Sequence, residues 1–236
     1  MTLKNWNTKN CTIYQILKGR SNSFLIKCRN NYILVDTGRK NSWKKLTTRI
    51  DELLGKNKLS YLILTHTHFD HAENAADLKN KYGCKIICHE SEADNLTHGD
   101  TALPQGTNLL TRFMVNLLGN TLQSRYNYEP SEADIIVNKT LDLRDFGFNV
   151  YNIHIPGHTK GSMGIIIDNE VAITGDCIFG VFPNSTYPPF AEDPETMIES
   201  WEKLLKTNCR LFLPGHGKAI SRELLEKQYK KHGKEF

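Results

Sequence analysis

The chain has 236 residues, of which 39% are hydrophobic and 24% charged, with a formal net charge of +4. That balance suits a globular core and excludes a fibre or a disordered chain, and the length is ordinary for one α/β core. No run approaches the roughly 20 apolar residues that cross a bilayer, and the polar opening MTLKNWNTKN lacks the apolar centre of a secretory signal, so no membrane partner and a cytoplasmic location are expected.

In chain order, Thr12–Leu17, Ser23–Cys28, Tyr32–Val35 and Tyr61–Leu64 read as strands, punctuated by turn residues at Lys18-Gly19 and Arg29-Asn30-Asn31. Between them, Ser42–Leu54 has helical spacing, with Trp43, Leu46, Ile50 and Leu53/Leu54 on one stripe. A second helix is expected to begin near His71, with a strand after it at Lys85–Cys88. Residues 91–133 then break the rhythm. Leu109, Leu110, Phe113, Met114, Leu117 and Leu118 recur in pairs every four residues, an apolar helical stripe that packs on the core, closes over a pocket as a lid, or forms a homodimer surface.

Beyond it, Ile135–Val137, Leu141–Leu143, Phe148–Ile155, Gly164–Ile167, Val171–Thr174 and Leu211–Leu213 read as strands, and Pro194–Lys206 and Ser221–Lys231 as helices. Strands then helices, twice over, argue for two packed sheets with helices outside. The basic tail KQYKKHGK at 227–234 has no interleaved aromatics or repeated basic clusters, so it reads as a solvated helix end and nucleic acid is not an expected partner. The cysteines Cys11, Cys28, Cys84, Cys88, Cys177 and Cys209 are scattered and lie mostly in apolar runs, which suits reduced, buried thiols better than a disulfide framework. His89, His98 and His232 suggest ordinary surface or capping roles, with His98 the exception to watch because it lies in the inserted segment, from which it could reach a pocket.

The chemistry begins at Leu62-Ile63-Leu64-Thr65-His66-Thr67-His68-Phe69-Asp70-His71. An apolar strand ends and delivers three histidines and an aspartate within six residues, the nitrogen and carboxylate donors that zinc and similar metals prefer. Pro156-Gly157-His158-Thr159, Thr174-Gly175-Asp176 and Pro214-Gly215-His216-Gly217 each follow a predicted strand and each puts one metal-capable side chain on a glycine-bearing turn. Alone, each is weak. Four strand ends doing the same thing form a constellation, the arrangement expected of sites carried on loops by rigid strands.

The motifs THTHFDH, PGHTKGS, TGD and PGHG, in this order, resemble the metallo-β-lactamase superfamily from about residue 11 to about residue 225. The resemblance implies an α/β fold, an αββα sandwich of two mixed sheets flanked by helices, in a single domain over 1–236 with a helical insertion at about 91–133. It implies that His66, His68 and His158 bind a first metal, that Asp70, His71 and His216 bind a second, and that Asp176 bridges them. The cofactors implied are two divalent ions, zinc foremost, with iron or manganese as alternatives. Asp36, in VDTG, resembles a position that supports the metal loop from behind, although a plain strand-end turn accounts for it equally well.

The resemblance further implies a hydrolase using a metal-bound hydroxide, since a bound divalent ion lowers the pKa of its water toward neutrality. Asp70 is then the catalytic proton shuttle. Asp176 in place of a cysteine argues against β-lactamase activity of the common zinc type. Gly175-Asp176-Cys177-Ile178-Phe179 is similar to glyoxalase II-like thioesterases, but a basic glutathione-binding cluster is not found in the C-terminal part. A small-molecule ester, thioester or lactone is the expected substrate, held by an apolar loop carrying Phe179, Phe182, Tyr187 and Phe190. The alternatives are an iron-dependent oxidoreductase resembling sulfur dioxygenases, and a phosphodiesterase.

Overall fold

The computed structural model of the chain describes residues 3–101, 105–109, 111, 113, 115, 117 and 126–233. The first half builds a seven-stranded sheet whose strands follow chain order. These are β1 (Asn5–Asn7), β2 (Cys11–Leu17), β3 (Ser23–Cys28), β4 (Asn31–Val35), β5 (Leu59–Ile63), β6 (Lys85–His89) and β7 (Ile135–Val137). The pairs from β1 to β4 are antiparallel, and those from β4 to β7 are parallel. The second sheet contains β8 (Val150–His154), β9 (Met163–Ile167), β10 (Val171–Gly175), β11 (Leu211–Pro214) and β12 (Ile220–Ser221), in the spatial order β12-β11-β10-β9-β8.

Alternation along the strands sorts the core into layers. In β4, Ile33 and Val35 point into the space between the sheets, where they join Ile165, Ile167, Val171 and Ile173 of the second sheet. Tyr32 and Leu34 point the other way, onto α1 (Trp43–Leu54) and α3 (Ala75–Tyr82), through Leu46, Ile50 and Leu78. The outer face of the second sheet does the same with Ile166, Ala172 and Phe212. They pack on Met197, Trp201 and Leu204 of α5 (Pro194–Lys206) and Leu225 of α6 (Arg222–His232). Strands buried on both faces read as continuous apolar runs, which is why β4, β9 and β10 are so plain in the sequence. The result is the αββα sandwich.

Several expectations need correcting. Leu141–Leu143 forms no strand; it runs beside β8 as a loop, with one bridge from Asp142 to Tyr151, and turns at once into a short 3-10 helix at Arg144–Phe146. The polar segment β1 and helix α4 (Glu90–His98) were not expected. Cys11 and Cys28 are not reduced thiols but a disulfide. They face each other across the β2–β3 pair with Cα atoms 4.3 Å apart, the close approach of a non-hydrogen-bonded antiparallel pair. Such bonds are uncommon in reducing compartments, so they lend nothing to a cytoplasmic location. Cys84, Cys88, Cys177 and Cys209 are free and buried. No described helix is long and apolar enough to cross a membrane.

Within the insertion, residues 109, 111, 113, 115 and 117 are helical. Leu109, Phe113 and Leu117 are 85%, 63% and 65% exposed, so this half of the stripe is not core. Leu110, Met114 and Leu118, its other half, lie outside the described residues.

The two sheets are tied at both ends. At the end where β5 finishes, Asn22 donates to the carbonyls of Pro214 and Gly217. At the other, Asp168 accepts from the Thr8 hydroxyl and from the backbone and side-chain N–H of Asn10.

Trp201 is the largest fully buried side chain, and its Nε1 donates to the Cys177 carbonyl at 2.7 Å. Trp201→Phe removes that donor and leaves a buried carbonyl unsatisfied, at a cost of about 1–3 kcal/mol. The melting temperature should fall by several degrees, since about 1 kcal/mol moves Tm by roughly 2–4 °C at this size. A thermal melt within a degree of wild type would show that the bond is not a net stabiliser.

Candidate metal centre

The turns that leave β5, β8, β10 and β11 meet at one end of the sandwich. β5 runs into His66, His68, Asp70 and His71, the last two on the four-residue helix α2 (Phe69–Ala72). β8 leads to His158, β10 to Asp176 and β11 to His216. Two glycines let these turns close. A Cβ on Gly215 would lie 2.1 Å from Asp176 Oδ1 and 2.7 Å from His71 Cε1. Gly157, at φ +125°, would put one 2.3 Å from the Met197 nitrogen, in a conformation that side-chain-bearing residues avoid.

All seven sequence-predicted residues are brought together. The donor atoms of His66, His68 and His158 lie within 4.8 Å of one another, as do those of Asp70, His71 and His216, and those of His66, His71 and Asp176. Asp176 touches both clusters: Oδ1 is 3.4 Å from His71 Nε2, while Oδ2 is 3.2 Å from His216 Nε2 and 3.6 Å from His158 Nε2.

The rings are aimed by what their other nitrogens touch. His71 Nδ1 is 2.9 Å from Asp36 Oδ2, and His158 Nδ1 is 2.9 Å from the Phe190 carbonyl. His66 Nδ1 is 3.1 Å from the Thr65 hydroxyl, which itself donates to Asp36. With Nδ1–H donating outward, the neutral rings of His66 and His158 leave the Nε2 lone pair toward the centre, the tautomer a metal requires, and His71 does so once its Nε2 proton is lost. Asp36 is thus the buried support of the loop, accepting from Thr65 N, Thr65 Oγ1 and His71.

The residues fit a divalent ion. His66 Nε2 and Asp176 Oδ1 are buried and have no hydrogen-bond partner in the protein. Such atoms are costly unless something satisfies them. Imidazole and carboxylate donors in this mixture suit zinc or a similar ion.

Charge divides the cluster. Burial pushes His66 well below the ordinary imidazole value, with His71, His68 and His158 adding to it. Burial likewise takes His158 down to about 4, against the pull of Asp176. For His71 burial acts the same way, but Asp176, Asp70 and Asp36 outweigh it and hold the ring well above its usual value. His216 is raised to about 9, burial being overcome by Asp176 and Asp70. Burial would raise Asp176, yet His216 and His71 keep it well below the carboxylate range.

Other residues fall outside the cluster. His89 caps α4 by accepting from the Ser91 N–H, and its ring stacks on His154 with centroids 4.2 Å apart. His98 is exposed and turns back to Asp94 on the same helix. Tyr187 packs on Trp201 and His232 against the outer core of the second sheet. Phe179 lies against the His216 ring at 4.7 Å between centroids. Sequence reasoning missed Ser21, whose hydroxyl donates to the Asp70 carbonyl, and Asn22, which holds the His216 turn. A lone Ser-Asn in a turn carries no signal of such a role.

Below about pH 9 His216 carries a proton, and that proton has to leave before its Nε2 can bind an ion. Metal uptake by Asp70, His71 and His216 should therefore release protons near neutral pH, and affinity should rise with pH through the range in which His71 and His216 lose their protons. Calorimetric titration with zinc in buffers of different ionisation enthalpy measures the release. A heat independent of buffer would contradict the charge distribution described above.

A family model of the metallo-beta-lactamase superfamily matches residues 17–216. A hydroxyacylglutathione hydrolase of Haemophilus influenzae is 32% identical over 191 residues, 79% of this chain and 80% of that protein. A protein of Methanocaldococcus jannaschii named as a probable metallo-hydrolase is 31% identical over 159 residues, 67% of this chain and 68% of its own. Among solved structures, the BLEG-1 B3 metallo-beta-lactamase superposes with a TM-score of 0.68 at 21% identity, covering 93% of this chain and 97% of that one. With this fold, these motifs and these matches together, the chain belongs to the metallo-beta-lactamase superfamily.

Proposed function

We propose that the protein is a binuclear metal-dependent hydrolase of a small ester, thioester or lactone. The observation that carries this reading is the position of Asp176, whose two oxygens reach His71, His216 and His158 and so suit a bridge between two ions. When bound, such ions supply Lewis-acid polarisation of a carbonyl and a water acidic enough to ionise near neutral pH.

The remaining work falls to the chain. His66, His68 and His158 form one binding group and Asp70, His71 and His216 the other. Asp36 fixes the His71 ring, so that this ligand need not reorganise during turnover. Asp70 is the more accessible of the two cluster carboxylates, its side chain 16% exposed against 5% for Asp176. Its Oδ2 lies 3.3 Å from His216 Nε2. There it takes up and returns a proton as the leaving group departs.

A thioester is favoured within the class. The Haemophilus relative is named for hydrolysis of an acylglutathione, and the surroundings of the site are apolar. Phe179 covers His216, and Val181 and Phe182 next to it are each 52% exposed. The backbone of Thr107 bonds to Pro189, and Gly106 pairs with Phe190, whose carbonyl holds His158. The exposed stripe of Leu109, Phe113 and Leu117 therefore starts beside the wall of the site and supports a lid over an acyl group.

The deciding experiment is a panel of chromogenic thioesters, esters, lactones, phosphodiesters and β-lactams, tested with zinc, manganese and iron, alongside elemental analysis. Two ions per chain and turnover of thioesters are expected. A single ion after reconstitution with excess metal rejects the binuclear site, and turnover confined to phosphodiesters rejects the substrate class. For the lid, Phe113→Ala should raise KM for long acyl substrates severalfold while leaving kcat for the shortest one unchanged. Its melting temperature should hold, because Phe113 is 63% exposed. Unaltered chain-length preference would remove the lid role.

A further inference from the structure

Thr67 stands between two of the proposed ligands, and every polar atom it has is taken by one region of the chain. Its N–H and its hydroxyl both donate to Glu92 Oε2, and its carbonyl accepts from the Tyr128 hydroxyl at 3.0 Å. Glu92 lies in the first turn of α4 and is 2% exposed. Its other oxygen, Oε1, accepts from the Gly161 N–H at 3.1 Å. Gly161 belongs to the turn that carries His158, and a Cβ on it would meet Glu92 Cγ at 2.4 Å. Among the described residues no cation forms a salt bridge with this carboxylate; its hydrogen-bond donors are two N–H groups and a hydroxyl.

A buried carboxylate without a counter-charge is costly, and three donors are what keep it there. Each of the three belongs to a metal-binding turn. One oxygen fixes the turn of His66 and His68 and the other fixes the turn of His158. We propose that Glu92 is a positioning residue for the three-histidine group, setting the spacing between its two turns and hence the affinity and geometry of the ion held there. This rests on the metal-centre reading above. It also gives the insertion a second role, since Glu92 and Tyr128, toward its two ends, grip the metal loop from outside.

The test uses the full chain, cobalt(II) and zinc. Glu92→Gln keeps the size of the side chain but cannot accept from both turns at once, because one end of the amide then faces an N–H with its own N–H. Affinity for the ion at the three-histidine group, measured by competition with a chelating dye, should fall by about 10–100-fold, and the visible spectrum of the cobalt protein should change. The other ion should bind as in wild type. Leu96→Ala, on the same helix and fully buried, is the control, expected to lower Tm with cobalt affinity and spectrum intact.

If the wild-type chain takes up no cobalt, the metal-centre reading falls and this inference with it. If wild type binds two ions and Glu92→Gln matches its affinity and spectrum, only the role of Glu92 falls. Equal weakening by Leu96→Ala would also overturn it, by assigning the effect to general stability. Should Glu92→Gln not fold, Thr67→Val decides, because it deletes one of the three donors. A severalfold weaker ion with an altered spectrum supports the proposal, and wild-type values overturn it.

Discussion

Strand direction is the constraint from which the rest follows. β8 and β10 are both antiparallel to β9, and β10 is parallel to β11, so all three finish at the same end of their sheet. β5 finishes at that end of the other sheet, where the Met163 N–H reaches the Thr65 carbonyl and the Asn22 N–H reaches Gly215. Four chain segments far apart in sequence thereby turn round within a few ångströms of one another. Because β5, β10 and β11 beneath them contribute buried side chains to both faces of their sheets, the turns sit on a firm base. Side chains of ordinary length then suffice to build a crowded polar centre.

That centre solves an electrostatic problem. Two carboxylates and five imidazoles at the edge of an apolar core could not all carry their solution charges. His66 and His158 stay neutral, while His71 and His216 hold protons that balance Asp70 and Asp176. Divalent ions can take over that balancing role, since each supplies positive charge at the point where protons now sit. Asp36 and Glu92 stand one layer out and resemble each other in function. Each is a buried carboxylate that accepts from three donors, and each converts a flexible turn into a fixed one.

The fold was readable wherever a strand or helix pattern was local. The bounds of β3, β7 and α5 agree with expectation, because alternation or helical spacing there ends at clear turn residues. The seven clustered residues were readable because histidine and aspartate massed at the ends of predicted strands, three of those ends bearing glycine, are rare enough to stand out. What the sequence hid was non-local. β1 is polar and owes its existence to pairing with β2. Leu141–Leu143 looks like a strand but hands its backbone bonds to the Asn152 side chain and the Val150 carbonyl. The Cys11–Cys28 bond depends on the register of two strands, which no spacing rule supplies. Glu92 reads as one more acid on a helix until Thr67 and Gly161 are seen around it.

The paired fastenings of the sandwich carry a mechanical implication. At the far end, Asp168 joins the hairpin of the second sheet to Thr8 and Asn10 through direct bonds that need nothing from solution. At the near end Asn22 also joins the sheets directly, and the proposed ligands come from both sheets, so ions held there would add removable rivets across the seam. Cross-links between distant segments remove chain freedom from the unfolded ensemble, and a ligand that binds only the folded form stabilises it by mass action. Metal would therefore strengthen one of two ends that are both already fastened by the chain itself. Starvation for metal would remove only the added rivets, leaving the Asn22 and Asp168 bonds to keep the sheets in register for reloading.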